Sequence, residues 1–120
     1  YLHNFLPEQP DLNVRNPAVQ DALLDVARFW LNRGVDGFRL DVVNFFTHDA
    51  QLRDNPPITT LKRAPPRPHQ FQRHLHDRTQ PETLDFIARL RALLDEYGAM
   101  AVGQIDCRRR THSFCCANAR

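Results

Sequence analysis

The sequence predicts an α/β chain running helix, strand, long loop, helix, strand, with the two strands parallel. Three observations carry this. Two apolar stripes at helical spacing, within residues 17–33 and 81–97, each lie between a helix-start signal and a glycine. Each is followed at once by a short run of strand-forming residues, 37–42 and 100–105. The stretch between the halves, residues 43–80, carries most of the prolines: six of the nine fall between Pro56 and Pro81, which argues against a long helix there. A strand joined through a loop and a helix to a parallel strand is a right-handed crossover.

Residues 1–16, with Pro7 and Pro10, form an irregular lead-in. Asn16 before Pro17 is a helix start, an N-cap side chain followed by a residue that needs no amide partner. Val19, Leu23, Val26 and Trp30 then form one apolar stripe, and Gly34 is the expected stop. Trp30 belongs to that stripe, so core packing is expected for it rather than a sugar-stacking platform. In the second half, Thr79-x-x-Glu82 has the form of a capping box with Pro81 in the first turn. Ile87, Leu90, Leu94 and Tyr97 supply the apolar face, and Gly98 ends the helix. Two strands cannot close a barrel, so their inner face is expected to stay exposed in this chain alone.

Composition narrows the function classes. The chain has 120 residues, 42% hydrophobic and 25% charged, the balance of an ordinary globular domain. No apolar run approaches the roughly 20 residues that cross a bilayer, and no signal-peptide pattern opens the chain, so no membrane partner is expected. The first residue is Tyr1, which implies a start inside a larger protein. Net charge is +2, yet Arg108, Arg109, Arg110 and Arg120 sit in a tail without acids; removing those four from 16 leaves 12 basic residues against 14 acidic. The basic balance therefore belongs to the tail, and a nucleic-acid partner is not expected. Cys107, Cys115 and Cys116 are odd in number and two are adjacent, so they form no disulfide framework, which suits a reducing, cytoplasmic setting. His48, His69, His74 and His76 invite a metal site, but His74-x-His76 lacks a helical or cysteine partner, and a solvated loop with no metal or cofactor is the expectation.

The chemistry concentrates at Gly37-Phe38-Arg39-Leu40-Asp41. Alternation along a strand puts Arg39 and Asp41 on one face, Phe38 and Leu40 on the other. An arginine beside a carboxylate holds it ionised and orients it, as a nucleophile at a sugar anomeric carbon requires. An arbitrary Arg-x-Asp is more often a buried structural ion pair. Here the longer stretch through Val42, Val43 and Asn44, preceded by Gln9-Pro10-Asp11-Leu12-Asn13, resembles the alpha-amylase superfamily of glycoside hydrolases, and within it the alpha-glucosidases and oligo-1,6-glucosidases. Leu52–Pro57 and Asp77–Glu82 also resemble the corresponding loop of alpha-glucosidases.

That resemblance implies part of a (β/α)8 TIM barrel: helix 3, strand 4, helix 4 and strand 5, in residues 1–106, with 43–80 as a long βα loop of the kind that carries substrate contacts. Residues 107–120 are an atypical tail without periodicity or family pattern, such as a shifted reading frame or a disordered end produces. By the same resemblance Asp41 is the nucleophile, Arg39 its orienting cation, and Asp11, Asn13, Val42 and Asn44 shape the substrate site. Val42 goes in these relatives with alpha-1,6 cleavage, although it is equally an ordinary β-branched strand residue. The acid/base glutamate position falls on Gln104, whose amide cannot donate a proton near neutral pH. Asp106 is no ready substitute: two residues along a strand keep the face but move about 6.5 Å. The family's transition-state-stabilising aspartate, its histidine partners and the calcium loop of some relatives fall outside these residues.

The function so implied is that of a piece of a retaining alpha-glucosidase acting on short oligosaccharides or glucosides without a cofactor, inactive as an isolated chain. A sucrose- or trehalose-directed transglycosylase uses the same residues. A non-catalytic relative such as the heavy chain of an amino-acid transporter is a third reading, favoured by Gln104 and opposed by intact Arg39 and Asp41.

Overall fold

The computed structural model describes residues 1–60, Pro66 and residues 68–105. Helix α1 spans Pro17–Leu31, strand β1 Gly37–Leu40, helix α2 Glu82–Glu96 and strand β2 Met100–Gly103, with short 3-10 turns at Val43–Phe45 and Pro68–Phe71 in the long connection. The strands are parallel neighbours, in register from Gly37 opposite Met100 to Leu40 opposite Gly103. They approach so closely at Gly37 that an added Cβ would lie 2.2 Å from the Met100 carbonyl oxygen, which excludes any larger residue there. The two-stranded α/β order thus matches the sequence prediction. Among the described residues no helix is long and apolar enough to cross a membrane.

Helix α1 starts as its sequence dictates, with the Asn16 side chain accepting from the Ala18 amide at 3.0 Å and Pro17 in the first turn. It ends at Leu31, two residues before the predicted limit, and Gly34 turns the chain at φ 86°. The buried residues are Leu24, Ala27 and Leu31, not the predicted stripe, and Val26 and Trp30 are about half exposed (56% and 48%). The helix is apolar over a wide arc, so two overlapping stripes exist; α2 covers only one of them. Arg89 of α2 bridges Gln20 and Asp21, and Tyr97 donates to Asn32 Oδ1 at 2.9 Å, fastening the helices at both ends.

Helix α2 departs from its predicted start. Thr79 lies in the left-handed region at φ 57°, its amide donates to the Asn44 carbonyl at 2.6 Å, and Pro81 occupies the cap position without a side-chain bond. No capping box forms, because Glu82 is held by Arg15 at 2.9 Å instead. Thr83, Phe86, Leu90, Leu93 and Leu94 make the buried face, with Leu94 at 1% exposure the centre of the core. Ile87 and Tyr97 lie at its margin, and Gly98 ends the helix at φ 62° as predicted.

Phe38 and Leu40 pack on the inner side of the sheet. Together with Leu23, Val26, Trp30 and Phe46 they border an open apolar hollow of about 710 Å³. Among the described residues Asp11 is the only polar one on its wall, so it offers almost nothing to satisfy sugar hydroxyls. It is a packing surface left uncovered by this chain on the Phe38 and Leu40 side of the sheet; the opposite face, with Arg39 and Val102, is exposed as well.

Candidate active site

The site lies where both strands end. β1 stops at Leu40 rather than at residue 42, and β2 at Gly103 rather than 105. The pairing nevertheless continues for two hydrogen bonds: the Gln104 amide donates to the Leu40 carbonyl at 2.8 Å, and the Val43 amide to the Gln104 carbonyl at 2.9 Å. A regular parallel ladder would have used the amide of residue 42 for the second bond. Val42 is therefore an extra residue, a bulge, and its backbone is left-handed at φ 40°, ψ 52°. That conformation is rare for a β-branched residue and costs on the order of 1–3 kcal/mol. Val42 is not the ordinary strand residue the sequence allowed. The bulge turns the chain into the Val43–Phe45 turn immediately beyond Asp41.

Arg39 stands on the outer face, opposite Phe38 and Leu40, as alternation predicts. Its Nη2 donates to Asp41 Oδ1 at 2.8 Å and also to Gln104 Oε1. One Arg39 nitrogen thus joins two further predicted residues, Asp41 and Gln104, from two adjacent strand ends. The Asp41 and Gln104 oxygens can be separated by no more than two hydrogen-bond lengths, about 6 Å. The side chains of Arg39 and Asp41 are 66% and 64% exposed, so this is not the buried structural pair of the plain reading. An ion pair so open to water contributes roughly 0–1 kcal/mol to folding.

The other predicted contacts are placed differently. Asn44 is 7% exposed, inside the loop, and its carbonyl receives the Thr79 amide. Asn13 Oδ1 accepts from the Arg15 amide at 3.2 Å, a local turn contact. Asp11 Oδ2 accepts from Asn4 at 2.6 Å and borders the apolar hollow. Neither Asp11 nor Asn13 is joined to Arg39, Asp41 or Gln104 by a hydrogen bond among the described residues. The lead-in still reaches the strand end, since the Phe5 and Phe45 rings lie 5.5 Å apart. Asp106 and the tail of residues 107–120 lie outside the described residues.

The loop after Asp41 is not merely solvated. Thr47, 2% exposed, shares a 2.6 Å hydroxyl contact with Thr83 of α2. Arg15 donates to the His48 carbonyl at 2.8 Å while holding Glu82, and its guanidinium keeps that carboxyl below the usual carboxylate range. Asp49 is 7% exposed and accepts from Arg53 through Nε at 3.0 Å, Nη2 at 2.6 Å and the backbone amide at 3.1 Å. Those bonds, from the Arg53 side chain first, hold its carboxyl far below the usual carboxylate range. The i, i+4 spacing of Asp49 and Arg53 was a signal for this clasp; nothing local marked Arg15.

Two strand ends thus present a carboxylate and an amide to one arginine. The chain belongs to the alpha-amylase family: the family model for the alpha amylase catalytic domain matches residues 1–117. It is similar to a probable alpha-glucosidase of Rhizobium meliloti (strain 1021), 55% identical over 88% of this chain and 20% of the relative. A crystal structure of an alpha-glucosyl transfer enzyme, XgtA, superposes with a TM-score of 0.79 at 57% identity, over 86% of this chain and 20% of that one. An amino acid transporter heavy chain of Homo sapiens is 40% identical over 81% of this chain and 14% of the relative. The chain thus spans a fifth or less of the length of these relatives.

Proposed function

We propose that this chain carries one side of the active site of a retaining alpha-glucosidase, with Asp41 as nucleophile, Arg39 as the residue that positions it, and Gln104 at the acid/base position. The observation that carries this reading is the shared guanidinium. The Asp41 Oδ1 and Gln104 Oε1 atoms, at most about 6 Å apart, are compatible with the 5–5.5 Å between the carboxyl groups of retaining enzymes. Gln is an isostere of Glu, so Gln104 marks where an acid/base carboxyl would stand. In this reading the elements correspond to helix 3, strand 4, helix 4 and strand 5 of the barrel. The substrates are short alpha-linked glucosides, and the three cysteines suit a reducing compartment such as the cytoplasm.

Asp41 would attack the anomeric carbon, displace the aglycone and form a glycosyl ester that water then opens. Departure of an ordinary sugar oxygen needs a proton, and Gln104 has none to give. General acid/base assistance is worth about 10² to 10⁴ in rate, so the chain as written does not hydrolyse natural glycosides. Transfer to another sugar is a second reading, supported by the resemblance to a glucosyl transfer enzyme; the same residues serve it when an acceptor excludes water.

The test is a graft of residues 1–105 in place of the matching segment of that transfer enzyme. With Gln104 the hybrid should turn over a glucosyl fluoride but be 10² to 10⁴ slower on maltose than its Gln104→Glu form. Asp41→Asn should abolish both. If Gln104→Glu changes neither substrate, the assignment of position 104 fails. If Asp41→Asn keeps activity, the whole reading fails, because the nucleophile is then another group.

A further inference from the structure

We propose that His69, His74 and Asp77 form a site for a zinc-class divalent ion, which ties together two parts of the long loop. Each offers one donor atom, and the three donors all lie within 4.8 Å of one another. The sequence spacing had drawn attention to His74-x-His76 and found no third partner. The fold replaces His76 with two others: the Pro68–Phe71 turn swings His69 beside His74, their ring centroids 4.1 Å apart, and Asp77 approaches from the opposite end of the segment. His76 is used elsewhere, its carbonyl accepting the Asp49 amide at 2.7 Å.

A second observation, on the carboxylate itself, asks for a cation. Asp77 Oδ2 lies 2.6 Å from His74 Nδ1, but Asp77 Oδ1 is buried with no hydrogen-bond partner among the described residues. A buried carboxylate oxygen without a donor is costly, and a bound ion would satisfy it. The donor set decides the class of ion. Two imidazole nitrogens and one carboxylate oxygen suit zinc and its neighbours in the first transition row; calcium and magnesium prefer sites made of oxygens. Bonds of 2.0–2.2 Å in tetrahedral order put donors roughly 3.4 Å apart, so an ion would rearrange the three and replace the 2.6 Å contact between His74 Nδ1 and Asp77 Oδ2. His69 is the exposed member, and a water would complete the fourth position.

Such an ion would clamp the Pro68–Phe71 turn to residues 74–77. That segment is bonded through His76 to Asp49 and, just beyond it, through Thr79 to Asn44, three residues after Asp41. The site would therefore be structural, stiffening the loop beside the strand ends. Its occupancy does not depend on which reaction those strand ends perform.

The experiment is titration with cobalt(II) and zinc(II) chloride. The proteins are the 120-residue chain and the hybrid carrying residues 1–105, the former with Cys107, Cys115 and Cys116 changed to Ser so that thiols do not compete. One equivalent should bind, with the visible bands of low-coordinate cobalt on nitrogen and oxygen and no thiolate charge-transfer band. His69→Ala, His74→Ala and Asp77→Asn should each weaken binding by more than about tenfold, since loss of even an outer-shell partner costs 10–100-fold. His76→Ala should leave it unchanged. Zinc should also slow proteolysis of the loop in the unsubstituted protein and not in His74→Ala. The hybrid decides the matter if the isolated chain does not fold: no saturable binding by it, or affinity unaltered in His74→Ala or Asp77→Asn, overturns the proposal.

Discussion

Replacing Arg39 by Met separates a structural ion pair from a positioning residue. Arg39 and Asp41 are about two-thirds exposed, so removing the guanidinium should cost the fold no more than about 1 kcal/mol. Its methylene stem lies on the outer face, where Met offers similar apolar bulk. The functional loss should be far larger, because a single nitrogen holds both Asp41 Oδ1 and Gln104 Oε1. Without it neither side chain has a common anchor, and a misplacement of about 1 Å costs on the order of 10²-fold in rate, near 2.7 kcal/mol of activation free energy. The assay is the hybrid barrel in its Gln104→Glu form, compared with and without Arg39→Met. Urea unfolding reports stability, and initial rates on a nitrophenyl glucoside report kcat and KM. The expected pattern is a stability change within 1 kcal/mol and kcat lower by about a hundredfold. A loss of more than 2 kcal/mol with activity within threefold would refute the reasoning and return Arg39–Asp41 to the class of structural pairs.

Three further outcomes follow from the loop and the strand end. Val42→Thr keeps the β-branched shape in the left-handed bulge and should shift the maltose to isomaltose ratio of the active hybrid toward maltose by tenfold or less, up to about 1.4 kcal/mol; an unchanged ratio removes Val42 from linkage choice. Asp49 has a folded-state pKa depressed by Arg53, so its stabilising contribution is complete above the unfolded value near 4 and is lost as pH falls below that. Asp49→Asn should flatten the acid limb of a stability–pH curve measured by urea unfolding, and an unaltered limb would show that the clasp is not coupled to folding. Thr47→Val or Thr83→Val alone should cost about 1–3 kcal/mol by orphaning a buried hydroxyl, while the double variant should be nearly neutral; additive losses in thermal unfolding would argue against the shared bond.

Much of this molecule was legible in its residues because the relevant physics is local. Asn16 and Pro17 satisfy and omit amides within one turn of each other, Gly34 and Gly98 supply left-handed turns where helices end, and alternation along residues 37–41 assigns Arg39 and Phe38 to opposite faces. What the chain could not announce depends on competition between distant groups. Thr79 and Glu82 spell a capping box, but the Thr79 amide is claimed by Asn44 and the Glu82 carboxylate by Arg15, 67 residues away in sequence. The apolar arc of α1 contains two stripes, and only the position of α2 decides that Leu24, Ala27 and Leu31 are buried while Trp30 stays at the open hollow. Val42 looks like strand, yet the pairing of Val43 with Gln104 leaves it as the extra residue of a bulge. His69 has no helical or strand spacing to His74, and only the folded turn sets the two rings 4.1 Å apart. Caps and periodicity are settled between neighbours; bulges, shared guanidiniums and histidine clusters are settled by which long-range partner reaches a polar group first, and that is a property of the fold.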